Sequence, residues 1–389
     1  MLSALRRLGY LFWLNAWLWS PAWAANYWQE QPLTSEWLQY LQQSEQLRQL
    51  DKAQLAAEQQ RLGTATILAA SKAQHFGLEA ITDAAAAEAV MSFQTPSGGW
   101  SKRTDMRLPR QPSQHYGSEP RYVPTFDNDA TTTQVFWLAN FYPKATAEQQ
   151  ARITLSIERA ISLILQAQYP NGGFPQSYPL QGGYHDAITL NDNAMYLLLE
   201  TLWQVSANPN FDMLSSTLRA KAKDSFYRAV DWLLANQINV DGQLTVWAAQ
   251  HHPISGQPVI ARRYEQIALV SSESAKLLEL LLDYAIDYPG VSVAVSAAAN
   301  WLEQKKIVDK RHVRDQDGRL SLIDEPGSHV WARFYDITTG LPVFYDRDGK
   351  VYDKVSQLSV ERQRGYGWYQ TNAASFLKQY QQRKALQRK

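Results

Sequence analysis

The segment Gln94-Thr95-Pro96-Ser97-Gly98-Gly99-Trp100 recurs as Gln168-Tyr169-Pro170-Asn171-Gly172-Gly173-Phe174, and more weakly as Gln237 followed by Asp241-Gly242-Gln243-Leu244. Each copy sets a glutamine at the end of a helical stretch, then a Gly-rich turn, then an aromatic or apolar residue. The copies fall about seventy residues apart, roughly two helices with their loops. Glycine permits the positive φ of tight turns. C-capping by glycine would also put it there, but capping alone does not account for the shared glutamine and aromatic. The repeat predicts an all-α fold. Its form is a single, incomplete α/α barrel or toroid with long active-site loops and little strand, and with the flanking aromatics facing a shared cleft.

Working outward, helical signals dominate. Helices are expected over Thr34–Gln60, Ala84–Phe93, Asn191–Val205, Leu214–Asn236, Ser271–Tyr284 and Val291–Gln304. Thr146 and Gln149 form a capping box ahead of Ile153, Ile157, Ile161, Ile164 and Leu165. Strand candidates are confined to Pro258–Tyr264 and Leu341–Tyr345. The tract Arg107–Thr125, with Pro109, Pro112, Pro120 and Pro124, reads as a long loop, and such loops inside a domain are usually functional. From Gln381 onward the basic, polar tail is expected to fray.

Composition excludes several classes. The 389 residues are 45% hydrophobic and 19% charged, which supports a large core and argues against disorder. A net charge of +1 lacks the basic field that a nucleic-acid partner needs. The chain has no cysteine, so disulfides and thiolate metal sites are excluded and packing alone must hold it together. At the N-terminus, Arg6 and Arg7 precede an apolar run from Leu8 to Trp19 and then Ala22-Trp23-Ala24. This pattern predicts a cleaved signal peptide over 1–24, a secreted or periplasmic protein, and a single catalytic domain over 25–389. A membrane anchor is the alternative, though the run is short for a span. Removal of the two arginines would take the charge from +1 to +1 − 2 = −1.

Two acidic motifs carry candidate chemistry. Phe126-Asp127-Asn128-Asp129-Ala130-Thr131 sets three oxygen-bearing side chains in a row, a pattern that suits a hard cation such as Ca²⁺. Tyr184-His185-Asp186-Ala187-Ile188-Thr189-Leu190-Asn191-Asp192-Asn193 repeats the theme. Both also read as helix N-caps, and the two uses are compatible. His185 lacks a second histidine at metal-ligand spacing, so zinc is not indicated. Three further motifs place arginine beside aromatics: Ala261-Arg262-Arg263-Tyr264-Glu265, Trp331-Ala332-Arg333-Phe334-Tyr335-Asp336 and Phe344-Tyr345-Asp346-Arg347-Asp348-Gly349. Arginine forks bind carboxylates and aromatics such as Tyr264 stack on sugar rings, so the set points to an anionic sugar. Taken singly, each is equally a structural salt bridge.

Taken in order, these motifs resemble polysaccharide lyase family ten, a family of pectate lyases, from about Ala84 to Gln370. The resemblance also rests on Gly98-Gly99-Trp100-Ser101-Lys102 and Asn171-Gly172-Gly173-Phe174-Pro175-Gln176. It implies an incomplete α/α toroid and Ca²⁺-dependent β-elimination of polygalacturonate. It implies Arg262 as the base, with Arg263 one residue away as the alternative. It places Asp127, Asn128 and Asp192 in the calcium region, and Lys102, Arg333 and Arg347 on substrate carboxylates. The chain departs from the family pattern at Ser101 and Arg103, where proline and asparagine usually flank the lysine. No nucleic-acid partner, stable membrane insertion or obligate oligomer is expected; the mature chain reads as a monomer. Two other readings stay open: a glycoside hydrolase using Asp127 and Asp192 as its carboxylate pair, and a non-catalytic binder of acidic sugars.

Overall fold

The computed structural model describes residues 27–29, 32–65 and 83–387; the expected signal peptide, 1–24, lies outside them. Among the described residues the fold is mostly helical, with short strands and no closed sheet. None of their helices is long and apolar enough to cross a membrane.

Among the described residues ten α-helices follow in order: α1 Ser35–Leu62, α2 Ala84–Ser92, α3 Thr132–Phe141, α4 Ala147–Ala167, α5 Ala194–Ala207, α6 Ser216–Ala235, α7 Ser271–Tyr284, α8 Val291–Gln304, α9 Val360–Gly365 and α10 Asn372–Gln387. Most of them pack in two rows. In one, α3 touches α5, α5 touches α7 and α7 touches α10; in the other, α2 touches α4 and α4 touches α6. Pairs α3–α4, α5–α6 and α7–α8 join the rows. The Thr146 capping box forms as read, and α7 and α8 begin and end where the apolar spacing put them.

The repeat read from sequence is a physical one, and each of its parts has a job. Gln94 donates from Nε2 to the Gly98 carbonyl at 2.6 Å and to the Ser156 carbonyl in α4 at 2.8 Å. Gln168 does the same to Gly172 (3.0 Å) and Ser225 in α6 (2.8 Å). Gln237 does so to Thr245 (2.8 Å) and Ala294 in α8 (3.0 Å). Each glutamine thus staples its own turn to the next helix of the row and satisfies two buried carbonyls. Glycine is needed where the turn grazes that helix. A Cβ on Gly98 or Gly172, both at positive φ, would collide with the Arg159 or Arg228 carbonyl.

The aromatics that follow do not face a cleft, which corrects the sequence reading. Trp100 and Phe174 are fully buried. The Trp100 indole donates to the Val90 carbonyl at 2.8 Å, Trp247 to Leu233 at 2.8 Å and Trp331 to Leu302 at 2.7 Å, so each closes the end of the preceding helix. Their backbones set up the next helix. The Trp100, Phe174 and Trp247 carbonyls accept from Thr125, Thr189 and Val270, and Trp331 pairs with Gln370. The turn between glutamine and aromatic grows along the chain. It is a Gly-Gly turn in the first two copies and a short hairpin, Asn239–Val240 with Gln243–Leu244, in the third. Trp331 lies at the end of a long hairpin, Ile307–Arg314 with Leu320–Ala332.

That hairpin is the main departure from the expected scarcity of strand. Most of its side chains are exposed or half-buried, so no alternation marks it in the sequence. Among the expected strands, Pro258–Tyr264 makes only an isolated bridge, at Pro258, whereas Phe344–Tyr345 pairs with Val351–Tyr352. The tail from Gln381 belongs to α10 as far as Gln387. A second, smaller apolar core of Val270, Phe334, Phe344, Tyr345, Val355 and Trp368 fixes the hairpin's inner end beside the start of α7.

Candidate active site

The two acidic motifs fold alike. Asp127–Asp129 and Asn191–Asn193 are single 3₁₀ turns leading into α3 and α5, and the turns touch. Asn128 and Asp129 have φ of 50° and 62°; Asp192 and Asn193 have 54° and 62°. Such left-handed backbone is tolerated best by Asn and Asp. Neither turn uses a side chain as a helix cap, so the capping reading does not hold and the side chains are released for other partners.

Lys102, 3% exposed, bonds Asp127 Oδ2 and stands over the Tyr122 ring at 3.4 Å. Burial pushes the Asp127 carboxyl above its usual range; Lys102 opposes that shift and the nearby Asp192 adds to it. The Asn128 amide bears on the same carboxyl. Arg333 Nη2 binds Asp192 Oδ1 at 3.0 Å and Asn191 Oδ1 at 3.1 Å, while its Nε donates to Glu273 Oε1 at 2.9 Å. Burial works against the Arg333 charge, but Glu273, Tyr366 and Asp192 outweigh it and hold the guanidinium protonated. The backbone N–H of Ser271 donates to the Arg333 carbonyl at 3.0 Å, and that of Arg333 to the Trp368 carbonyl at 2.8 Å. The hairpin end, the α7 start and the second core thereby fix this side chain together.

From these two turns the contacts run on through tyrosines. The Tyr122 hydroxyl meets that of Tyr184 at 2.8 Å. The Arg262 guanidinium stands 5.7 Å from the Tyr184 ring and 5.1 Å from Tyr264. Arg347 lies over the other side of the motif, 4.1 Å from the Tyr264 ring, and pairs with Glu361 at 2.9 Å. Arg362 stands 5.4 Å from Tyr264 and 4.3 Å from Tyr366, and Tyr366 lies 4.9 Å from Arg333. The contacts run in an arc from Asp127 through Lys102, Tyr122, Tyr184, Arg262, Tyr264, Arg362, Tyr366 and Arg333 to Asp192, and the touching acidic turns close it into a ring. Cation–π contacts of this kind hold guanidinium planes in place without neutralising them.

All eight residues singled out in the sequence lie on or beside this ring. Arg262 faces it, whereas Arg263 packs its side chain against Gly349. The two departures from the family pattern are also accommodated. Ser101 is buried and meets Thr104 at 2.6 Å, and Arg103, at φ 51°, pairs with Glu119 at 3.1 Å. Tyr122, Tyr184, Glu273, Arg362 and Tyr366 were missed. Only the Arg-Gly-Tyr-Gly-Trp run at 364–368, with glycines beside aromatics, could have drawn attention to the last two.

Among the described residues no three His, Cys, Asp or Glu side chains come together to hold a metal. The two turns do hold oxygens in need of a partner: Asp127 Oδ1 and Asn193 Oδ1 are buried without one. Ca²⁺ takes roughly six to eight oxygens, so these turns fit it as part of a shell completed by water or ligand carboxylate.

A family model described as pectic acid lyase matches residues 94–377. The chain is similar to two solved structures of a family 10 polysaccharide lyase from Cellvibrio cellulosa. One is an aspartate-to-alanine mutant in complex with trigalacturonic acid, 30% identical, TM-score 0.69, covering 76% of this chain and 92% of that one. The other, also of the family 10 polysaccharide lyase from Cellvibrio cellulosa, shows the same identity and TM-score, covering 76% and 91%. No curated protein matches. With the family match spanning well over half its length, and with cations, tyrosines and paired acidic turns gathered in one ring, the chain belongs to the pectic acid lyase family and is a pectate lyase.

Proposed function

We propose that this enzyme cleaves polygalacturonate by Ca²⁺-dependent β-elimination, with Arg262 as base, releasing unsaturated oligogalacturonides. In this reading the two helix rows form an incomplete α/α toroid, and the protein acts as a monomer outside the cytoplasm after loss of 1–24. The observation that carries it is the pair of touching acidic turns: Lys102 pairs with Asp127 and Arg333 with Asp192, while the buried oxygens Asp127 Oδ1 and Asn193 Oδ1 lack partners. The trigalacturonic acid bound by the similar Cellvibrio lyase supports the substrate.

The C5 proton of a uronate lies α to its carboxylate and is poorly acidic while that group keeps its charge. Ca²⁺ at Asp127, Asn128 and Asp192 would supply charge neutralisation at the substrate carboxylate. Lys102 and Arg333, fixed by their own carboxylates, stabilise the enediolate as charge develops there. Arg347 and Tyr264 position the neighbouring sugar. Arg262 takes the C5 proton; the C5–H electron pair becomes the C4–C5 double bond. The C4–O4 bond breaks with its pair on O4, which is protonated from solvent. Neutral arginine is scarce, so the rate should rise into alkaline pH.

The test is ultraviolet absorbance of the conjugated unsaturated uronide on polygalacturonate at alkaline pH, with Ca²⁺ and with chelator. Absorbance that grows and is abolished by chelator is expected. An optimum on the acid side would remove Arg262 as base, and reducing ends without absorbance would move the reaction to hydrolysis.

A further inference from the structure

Arg262 is not free in the resting chain. Its Nε donates to Glu265 Oε2 at 2.6 Å, and its Nη2 to Oε1, a fork-on-fork pair. The geometry is set by backbone. The Glu265 N–H donates to the Arg262 carbonyl at 2.7 Å and the Ala261 N–H to the Glu265 carbonyl at 3.1 Å, closing a turn around the pair. Glu265 is buried, 8% exposed, and two cations act near it. One is Arg262 itself. The second is Arg362, 4% exposed, whose Nη2 has no hydrogen-bond partner. Arg262 alone forks onto this carboxylate, and Arg362 acts with it at longer range.

We infer that Glu265 is a positioning residue that orients Arg262 and sets the pH above which it can accept the C5 proton. This rests on the reading of Arg262 as base. A carboxylate forked onto a guanidinium favours its charged form, so proton transfer to Arg262 is withheld until that pairing is overcome. The charges around the pair act in both directions. Tyr184 and Tyr264 flank Arg262; Arg362 and Tyr366 act from the C-terminal side, with Arg347 and its partner Glu361 beyond them. Lys102, Tyr122 and His185 face Arg262 from across Tyr184, and Asp127 bears on Tyr184 as well. Burial opposes the Arg262 charge, and the Glu265 carboxylate bonded to it outweighs burial.

The experiment is the pH dependence of kcat for unsaturated-uronide formation by the full chain and by Glu265→Gln, with fold checked by near-ultraviolet circular dichroism. Glutamine keeps the shape and loses the charge. The rising limb should move down by at least about one pH unit, with KM changed less than about threefold. A limb that does not move, whether kcat falls uniformly or stays the same, overturns the inference. Glu265→Asp keeps the charge and spoils the fork, so it should keep the wild-type limb at lower kcat; this variant decides the matter if the glutamine variant does not fold, and a shifted limb in it overturns the inference. Arg262→Ala separates the two levels. If it retains the wild-type rate, the base reading falls and takes the Glu265 inference with it. If it is inactive while Glu265→Gln leaves the limb unmoved, only the role of Glu265 falls.

Discussion

Asp127-Asn128-Asp129 and Asn191-Asp192-Asn193 are the same turn with acid and amide exchanged at every position, and each opens a helix of the same row. Their surroundings differ. The first turn buries its leading aspartate under a lysine and the Tyr122 ring. The second turns its central aspartate toward partial exposure and shares an arginine with Glu273, a carboxylate supplied by α7. The difference teaches that one backbone device can present charge in two ways. A buried carboxylate with one cation can fall back on protonation. Removing Arg333 instead strands Glu273, which is buried, while Asp192 keeps partial exposure and the Asn191 amide.

That contrast predicts unequal damage. Arg333→Met leaves Glu273 buried, with Oε2 already unpartnered, and frees Asp192 from its clamp. Loss of one member of such a buried network should cost about 3–5 kcal/mol in denaturant unfolding, and activity should vanish with it. Lys102→Met should cost less, about 2–3 kcal/mol at pH 9, and less again at pH 5. The sign follows from Asp127. Its folded-state pKa is raised, so its neutral form is native-compatible at low pH and the penalty grows as pH climbs through that raised value. Equal losses at the two turns, or a loss at Lys102 indifferent to pH, would break the comparison.

A third test sharpens it by asking how dry the first turn is. His185 stacks 4.0 Å from Tyr184 and 5.1 Å from Tyr122, and burial lowers its pKa from 6.5 to about 4. A depressed histidine contributes stability above its unfolded pKa that is lost as pH falls toward 4, about 3 kcal/mol if undiminished. Its neighbour Asp186 works the other way. Burial raises that carboxyl from 3.8 to about 6, so stability is gained as pH falls through 6. His251, lowered to about 4, and Asp51, raised to about 6, form a second offsetting pair. Wild-type stability should therefore change little between pH 6.5 and 4. Asp186→Asn should expose a fall of about 2–3 kcal/mol across that window, measured by urea titration at each pH. A flat profile in the variant would mean that water reaches His185.

What the sequence revealed follows from where each signal is stored. The α7 and α8 limits were legible because Leu277, Leu278, Leu281 and Leu282, then Val291, Val295, Ala298 and Leu302, meet the core at helical spacing. The glutamine–glycine repeat was legible as a pattern but not as a mechanism. That Gln94 bonds Ser156, or that Trp100 closes α2, depends on a helix not yet placed. The hairpin Ile307–Arg314 escaped because it projects away from the core and buries little. Glu273 was hidden inside the leucine-rich pattern of α7, and its meaning comes from Arg333, sixty residues on. Arg362 escaped for the same reason, since its partners Tyr264 and Tyr366 lie on separate loops. Local chemistry reads well from sequence, while shared counter-ions need the fold.

The smallest expected effect on stability lies at the ring's exposed side, and there stability and function should part. Arg347 is half-exposed, and its pairing with Glu361 is worth under about 1 kcal/mol because water screens both groups. Arg347→Ala should thus leave the unfolding midpoint almost unchanged, unlike Arg333→Met. It should still remove a guanidinium poised over Tyr264 next to the proposed base. If Arg347 holds a substrate carboxylate away from the breaking bond, its loss weakens ground and transition states equally. KM on polygalacturonate should rise about tenfold while kcat stays within about threefold. A fall in kcat with KM unmoved would place Arg347 at the reacting sugar instead. The ring would then be a continuous catalytic surface, with no outer, purely binding arc set apart from the inner, structural one built on Arg333.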